Sequence, residues 1–279
     1  MKAVNPDHIV FKYLRKNKKF PHIFCPGCGH GTILGALIRA IDELDIDKNS
    51  ISMVSGIGCS SRAPVYVDFN TLHTLHGRAI AFATGMKLAN PKQKVIVITG
   101  DGDATAIGGN HFIHACRRNI DMTIVVFNNS IYGMTGGQYS PTTPVGAVAA
   151  TAKYGNIERP FDVCDLAIGA GASYVARGTA FNPKALINLF VGALKKKGLS
   201  IVEAISQCPT SYGRKNYFKS VIDMLDWQKN HSVDIRAWDK LPKEKREGKF
   251  KVGLFVDRDF PEYIEEYDKI HKASLKGGK

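Results

Sequence analysis

The sequence predicts an α/β protein built on a doubly wound, mostly parallel sheet with a C-terminal extension. Two observations carry this. Short apolar runs of strand length alternate with segments of helical spacing, the pattern of a parallel sheet covered on both faces. One β-branched run also ends in Gly100-Asp101-Gly102 with a helical segment just after it, the edge where open α/β sheets bind ligands.

The elements follow in order. Residues 1–29 read as an irregular lead-in. Ile33, Leu34, Leu37, Ile38, Ile41 and Leu44 recur at helical spacing. Ile51 to Ser55 reads as a buried strand. Gly77 to Ala89 reads as a small-residue helix closed by Asn90-Pro91. Val95 to Thr99 is a strand, Ala104 to Arg118 a helix and Met122 to Phe127 a further buried strand. Asn128 to Asn156 carries Gly133, Gly136, Gly137, Pro141 and Pro144, among other residues, and no periodicity; long structureless loops in compact domains are usually functional. Val163 to Ala170 reads as a helix, Ser173 to Ala176 as a short strand, and Pro183 to Lys196 as an amphipathic helix with lysines at its C-terminal end. Ser200 to Ile205 is the last strand, followed by Cys208-Pro209-Thr210. The expected organisation is a lead-in over 1–29, an α/β domain over 30–210 and an extension over 211–279. The extension is more polar, holds Trp227 and Trp238, and reads as partly helical, wrapping the domain or a partner without forming a second core.

Composition bounds the function. The 279 residues are 44% apolar and 23% charged, which excludes a disordered chain, a collagen-like fibre and a coiled coil. No apolar stretch approaches the ~18–20 residues that span a bilayer, and the first residues hold no apolar leader. A soluble cytoplasmic protein without membrane attachment is expected. Its six cysteines are then core residues or ligands, since a reducing compartment disfavours disulfides. Lys plus Arg number 38 against 25 Asp plus Glu, a net charge of +13. Basic clusters lie between Lys2 and Lys19 and from Lys243 to Lys251. They fit a solvated surface, a nucleic acid, a membrane face or an acidic protein partner. No aromatic-rich basic motif accompanies them, so nucleic acid is not expected.

The Gly100-Asp101-Gly102 turn lets backbone N–H groups approach a phosphate at a helix N-terminus, and Asp101 adds a hard oxygen of the kind Mg²⁺ takes. The next strand run delivers Asn128-Asn129 to the same edge. Gly-Asp-Gly, a helix, then Asn-Asn resembles the signature of thiamine-diphosphate enzymes. That resemblance implies Mg²⁺ ligands at the Asp101 carboxylate, the Asn129 side-chain oxygen and the Ile131 carbonyl. It also implies diphosphate contacts at Gly102, Asp103, Gly133 and Met134.

Cys25-Pro-Gly-Cys28 alone fits a zinc knuckle, a redox pair or half of a cluster site. Cys59 follows the first strand and Cys208 the last, so both are predicted on the rim of the Gly-Asp-Gly turn. Four thiolates suit Zn²⁺ or a [4Fe–4S] cluster. A single C-x-x-C with two distant ligands favours the cluster. Cys116 and Cys164 lie inside predicted helices and read as small buried hydrophobes.

Taken together, Cys25-Pro-Gly-Cys-Gly-His-Gly31, Ile57-Gly-Cys-Ser60, His76-Gly-Arg78, Gly100-Asp-Gly-Asp103 and Thr135-Gly-Gly-Gln138 resemble the β subunits of 2-oxoacid:ferredoxin oxidoreductases over the first ~210 residues, with the 2-oxoglutarate branch the nearest likeness. The resemblance implies a thiamine-diphosphate-binding fold and one [4Fe–4S] cluster on Cys25, Cys28, Cys59 and Cys208. It implies contacts from Ile57, Gly58, Cys59, Ser60 and His76 to thiamine diphosphate. Arg62 falls at a basic position of the family and is expected to pair with the 2-oxoacid carboxylate, or else to be a surface arginine. The implied reaction converts a 2-oxoacid, best 2-oxoglutarate, and coenzyme A to acyl-CoA, CO₂ and reduced ferredoxin. Acidic ferredoxins suit the net positive charge. Only one α/β domain is visible, so an α subunit is expected to supply the pyrimidine-binding domain and its glutamate in an αβ or (αβ)₂ assembly, and the single chain is expected not to turn over. The competing readings are a non-redox thiamine-diphosphate decarboxylase or synthase subunit, which needs no rim cysteines, and a zinc-bearing nucleic-acid-binding protein, which leaves Gly-Asp-Gly unexplained. His22, His30, His73, His111 and His114 carry no assigned role.

Overall fold

A computed structural model describes residues 8–17 and 21–277. Part of the N-terminal basic cluster lies outside the described residues. The strands are β1 (Ile51–Ser55), β2 (Asn70–His73), β3 (Lys94–Gly100), β4 (Thr123–Asn128), β5 (Tyr174–Thr179), β6 (Ser200–Ile205), β7 (Ser232–Asp234) and β8 (Phe250–Asp257). The helices are α1 (Ile9–Lys12), α2 (His30–Glu43), α3 (Ala79–Ala89), α4 (Gly109–Arg118), α5 (Val163–Gly169), α6 (Pro183–Lys195), α7 (Val221–His231), α8 (Ile235–Trp238) and α9 (Tyr263–Gly277).

The strands form one sheet in the order β2-β1-β3-β4-β6-β5-β8-β7. The six strands from β2 to β5 pair in parallel, so their carboxyl ends share a rim. Side-chain alternation splits the core in two. Met53, Ile96, Ile98, Val125, Phe127 and Val202 pack beneath α2 and α6, while Val54, Val95, Val97, Ile124, Val126 and Ile201 pack against α3, α4 and α5. Both layers are mainly apolar, which is why the strand runs read as nearly continuous apolar stretches, with the buried Arg177 and Glu203 as exceptions. Cys116 and Cys164 sit in the second layer.

The extension does more than wrap. β8 pairs antiparallel with β5 and carries β7 at the sheet edge. The alternation that marks an edge strand is weak in Phe250–Asp257, and β8 is only half-buried along its length. The long helix expected over 104–118 is interrupted: Asp103–Ile107 is a π-helical turn and α4 restarts beyond Gly108. Such turns are commonly found at functional sites, and this one follows the Gly-Asp-Gly segment directly. No helix among the described residues is long and apolar enough to cross a membrane.

Candidate cofactor and cluster site

Two clefts open on the rim. The first is lined by Ile57, Gly58, Cys59 and Ser60 after β1, by His76 before α3, and by Gly100, Asp101, Gly102 and Asp103 after β3. Asn129, Ile131, Gly133 and Met134 after β4 complete it, together with His30 and Tyr132. Every residue expected to touch thiamine diphosphate or Mg²⁺ thus lines one cleft.

Asp101 is buried, and its Oδ2 accepts from Ser140 Oγ at 2.5 Å and Thr142 Oγ1 at 2.6 Å. Burial raises its pKa, against the opposing pull of those hydroxyls and of nearby amides. A divalent cation beside this carboxylate would offset that desolvation. The Ser60 hydroxyl, also buried in the lining, has no hydrogen-bond partner among the described residues. Gly102 is needed for close approach, because a Cβ there would overlap the Tyr132 ring, whose hydroxyl donates to the Gly102 carbonyl at 3.2 Å. A buried carboxylate, an orphaned hydroxyl and a glycine turn at one cleft fit a magnesium-held diphosphate.

Asp103 also lines the cleft, but its carboxylate is engaged. Oδ1 accepts from His76 Nδ1 and from the Gly77 amide at 2.7 Å, and Oδ2 accepts from Thr99 Oγ1 at 2.8 Å. Its visible function is to hold His76.

The second cleft is lined by Cys25, Cys28, Cys59 and Cys208, with Arg62, Asn129, Gly133 and Met134. None of the four cysteines is in a disulfide. The knuckle is pinned to the Cys208 segment by Gln207, whose Nε2 donates to the Gly27 carbonyl at 3.0 Å and whose own carbonyl accepts from the Gly29 amide at 3.2 Å. Burial pushes the Cys28 thiol up to about 12 and the Cys59 thiol up to about 11, the other thiols adding repulsion. The amides of His30 and Met134 oppose this for Cys28 and Cys59 respectively. Thiolates here need positive charge at their centre. A tetrahedral Zn²⁺ about 2.3 Å from each sulfur would bring the sulfurs to about 3.8 Å apart. Among the described residues, no three of these sulfurs lie within 4.8 Å of one another.

The two clefts share Cys59, Asn129, Gly133 and Met134 as a common wall. Gly133 lies between them: a Cβ there would stand 3.4 Å from Cys59 Sγ and 3.6 Å from Cys208 Sγ. Arg62 lies in the thiol cleft, outside the lining of the first. Its Nη2 donates to His73 Nε2 at 2.9 Å, and its Nε is buried without a partner among the described residues.

Sequence reasoning missed several of these residues. Ser140 and Thr142 sit in the aperiodic segment after β4, whose length alone hinted at function. Gln207 and Thr99 carry no motif. His30 packs edge-on against Phe127 and bonds Ser206 Oγ through Nδ1 at 2.8 Å; burial lowers its pKa to about 4.

Comparison with known proteins is consistent with this geometry. Residues 56–204 match the model of the thiamine pyrophosphate enzyme C-terminal TPP binding domain. The 2-oxoglutarate synthase subunit KorB of Methanocaldococcus jannaschii is 51% identical over 263 residues, covering 94% of this chain and 97% of its own. The subunit of the same name from Methanothermobacter marburgensis is 53% identical over 97% of this chain and 95% of its own. The solved structure of 2-oxoglutarate:ferredoxin oxidoreductase from Magnetococcus marinus, with 2-oxoglutarate, coenzyme A and succinyl-CoA bound, superposes with a TM-score of 0.84 at 36% identity, covering 99% of this chain and 92% of that one.

Proposed function

Because the chain belongs to the β subunits of 2-oxoacid:ferredoxin oxidoreductases, we propose that it carries out the oxidative decarboxylation of 2-oxoglutarate with coenzyme A, giving succinyl-CoA, CO₂ and reduced ferredoxin. The observation that carries this reading is the shared wall: four thiols and the Asp101 cleft meet at Cys59 and Gly133. In this reading Asp101, Asn129 and the Ile131 carbonyl hold Mg²⁺. The Gly102 turn, Ser60 and His76 take the diphosphate, and Cys25, Cys28, Cys59 and Cys208 hold one [4Fe–4S] cluster. The chemistry supplied by these groups is an electron sink for decarboxylation and single-electron acceptance.

This chain's own residues do the positioning. Asp103 fixes the His76 ring, Gly133 keeps the wall between the clefts thin, and the buried aromatic and aliphatic lining limits water. Arg62, released from His73, would pair with a substrate carboxylate in a fork. The pyrimidine-activating glutamate is assigned to an α subunit, since the described residues form one α/β sheet. An acidic ferredoxin suits the net charge of +13.

The test is an anaerobic assay of the complex containing this chain. Viologen reduction that needs coenzyme A and prefers 2-oxoglutarate to pyruvate supports the reading. A complex free of iron and sulfide, or one that releases CO₂ without reducing an acceptor, overturns it. Full turnover by the chain alone would overturn the assignment of the glutamate to a partner.

A further inference from the structure

The first asparagine of Asn128-Asn129 has no part in the reading above, and neither does the ion pair beneath it. Arg177 on β5 and Glu203 on β6 are directly opposed in register and both buried, at 4% and 2% exposure. Arg177 Nε donates to Glu203 Oε2 at 2.5 Å, and Arg177 Nη2 donates to Asp162 Oδ1 at 2.5 Å. A buried ion pair is weak evidence for stability, since apolar residues of similar size often serve as well. Its retention inside an apolar layer asks for another reason.

The geometry supplies one. Glu203 opposes Val126 across β4 and β6, so Asn128, two residues on, presents its side chain on the same face. Asn128 Nδ2 donates to Glu203 Oε1 at 2.7 Å. A carboxylate only accepts hydrogen bonds, so this contact decides which way the amide turns. The Asn128 Oδ1 therefore faces the loop, where it meets three groups, one of them the Ser130 hydroxyl at 3.4 Å. The Ser130 amide donates to it at 2.9 Å, shaping a turn in which Ser130 has φ +57. Thr142 Oγ1 lies 3.0 Å from it and 2.6 Å from Asp101 Oδ2.

We propose that Glu203 and Asn128 are positioning residues for the divalent-cation cradle. Glu203 orients the Asn128 amide. Asn128 then holds, through the Ser130 amide, the turn that bears Asn129 and Ile131, and touches the other half of the cradle at Thr142, whose single proton it shares with the nearer Asp101 Oδ2. With its amide reversed, Asn128 would present N–H groups to the Ser130 amide, and the turn would lose its acceptor. This rests on the assignment of Mg²⁺ to Asp101, Asn129 and Ile131. Partners that orient metal ligands are typically worth 10- to 100-fold in metal affinity.

The experiment is Mn²⁺ binding to the iron-loaded complex with thiamine diphosphate present, followed by electron paramagnetic resonance as both affinity and line shape. Asn128→Ala is expected to weaken Mn²⁺ roughly 10- to 100-fold, and Glu203→Gln at least about fivefold, with a broadened spectrum. Asp162→Asn removes the second carboxylate facing Arg177 without touching Asn128, and is expected to bind Mn²⁺ as the unaltered complex does even where its melting temperature falls. If Glu203→Gln does not assemble, Thr142→Val leaves the ion pair intact and is expected to weaken Mn²⁺ in the same direction. Binding within twofold of the unaltered complex in these variants, or an equal loss in Asp162→Asn, overturns the proposal. Mn²⁺ binding that ignores Asp101→Asn, or its absence from the unaltered complex, overturns the Asp101 assignment and this inference with it. Dependence on Asp101 with indifference to Asn128 and Glu203 overturns the positioning role alone.

Discussion

Asp103 and His76 form one unit at the mouth of the cofactor cleft. The carboxylate accepts the Nδ1 proton of the ring while the Gly77 amide and the Thr99 hydroxyl fill its other lone pairs. Nε2 is therefore the ring nitrogen left to meet a ligand. Asp103→Asn keeps the shape but replaces one acceptor oxygen with a donor, which must face donors already in place. We expect a stability loss of about 1–3 kcal/mol and a weaker grip on thiamine diphosphate. Calorimetric titration of the cofactor, with a melting curve beside it, checks both. Unchanged cofactor affinity would show that His76 needs no anchor.

Gly102 offers a steric test. A Cβ at this position would overlap the Tyr132 ring, so Gly102→Ala must displace Tyr132 or the turn. Overpacking of this kind costs about 1–3 kcal/mol. Adding Tyr132→Leu is expected to recover most of the loss in melting temperature, because the colliding atoms are then gone. Additive losses in the double variant would place the strain elsewhere.

The two clefts should be chemically separable. Cys25→Ser is expected to lower iron and the visible sulfur-to-iron absorbance while thiamine diphosphate still binds. Asp101→Asn is expected to do the reverse, and removal of divalent cations with a chelator should copy it. Gly133→Val stands on the shared wall beside Cys59 and Cys208, and so is expected to diminish both. Iron analysis and cofactor titration on the same preparations decide the matter. Loss of both groups in Cys25→Ser would refute the separation.

Arg62 and His73 set a pH signature. His73 titrates below the ordinary histidine value, first through lost hydration and then through the Arg62 guanidinium facing it. The unfolded chain therefore takes up this proton first as pH falls below about 6.5, and the contribution to stability declines from there downward. Above that value it is constant. Arg62→Met removes the second cause and is expected to move the His73 pKa upward, read from its ring resonances by NMR. A value that stays put would mean that Arg62 does not press on the ring.

The sequence alone determined the sheet and marked the candidate residues at its rim. Strand runs buried on both faces must be apolar throughout, so β1, β3, β4 and β6 were legible without partners. Gly100-Asp101-Gly102, Asn129 and the Cys25–Cys28 pair were legible as candidates because short-range spacing brings their donor atoms together in a recognisable pattern. Only the tertiary structure decided what holds those atoms still. Ser140 and Thr142 reach Asp101 across a long loop, Gln207 ties a knuckle far upstream, and Glu203 turns Asn128 from the neighbouring strand. These residues are common polar types without local pattern, brought together by strand register and loop closure. The same holds for β8, whose place beside β5 follows from an open sheet edge more than from its own sequence.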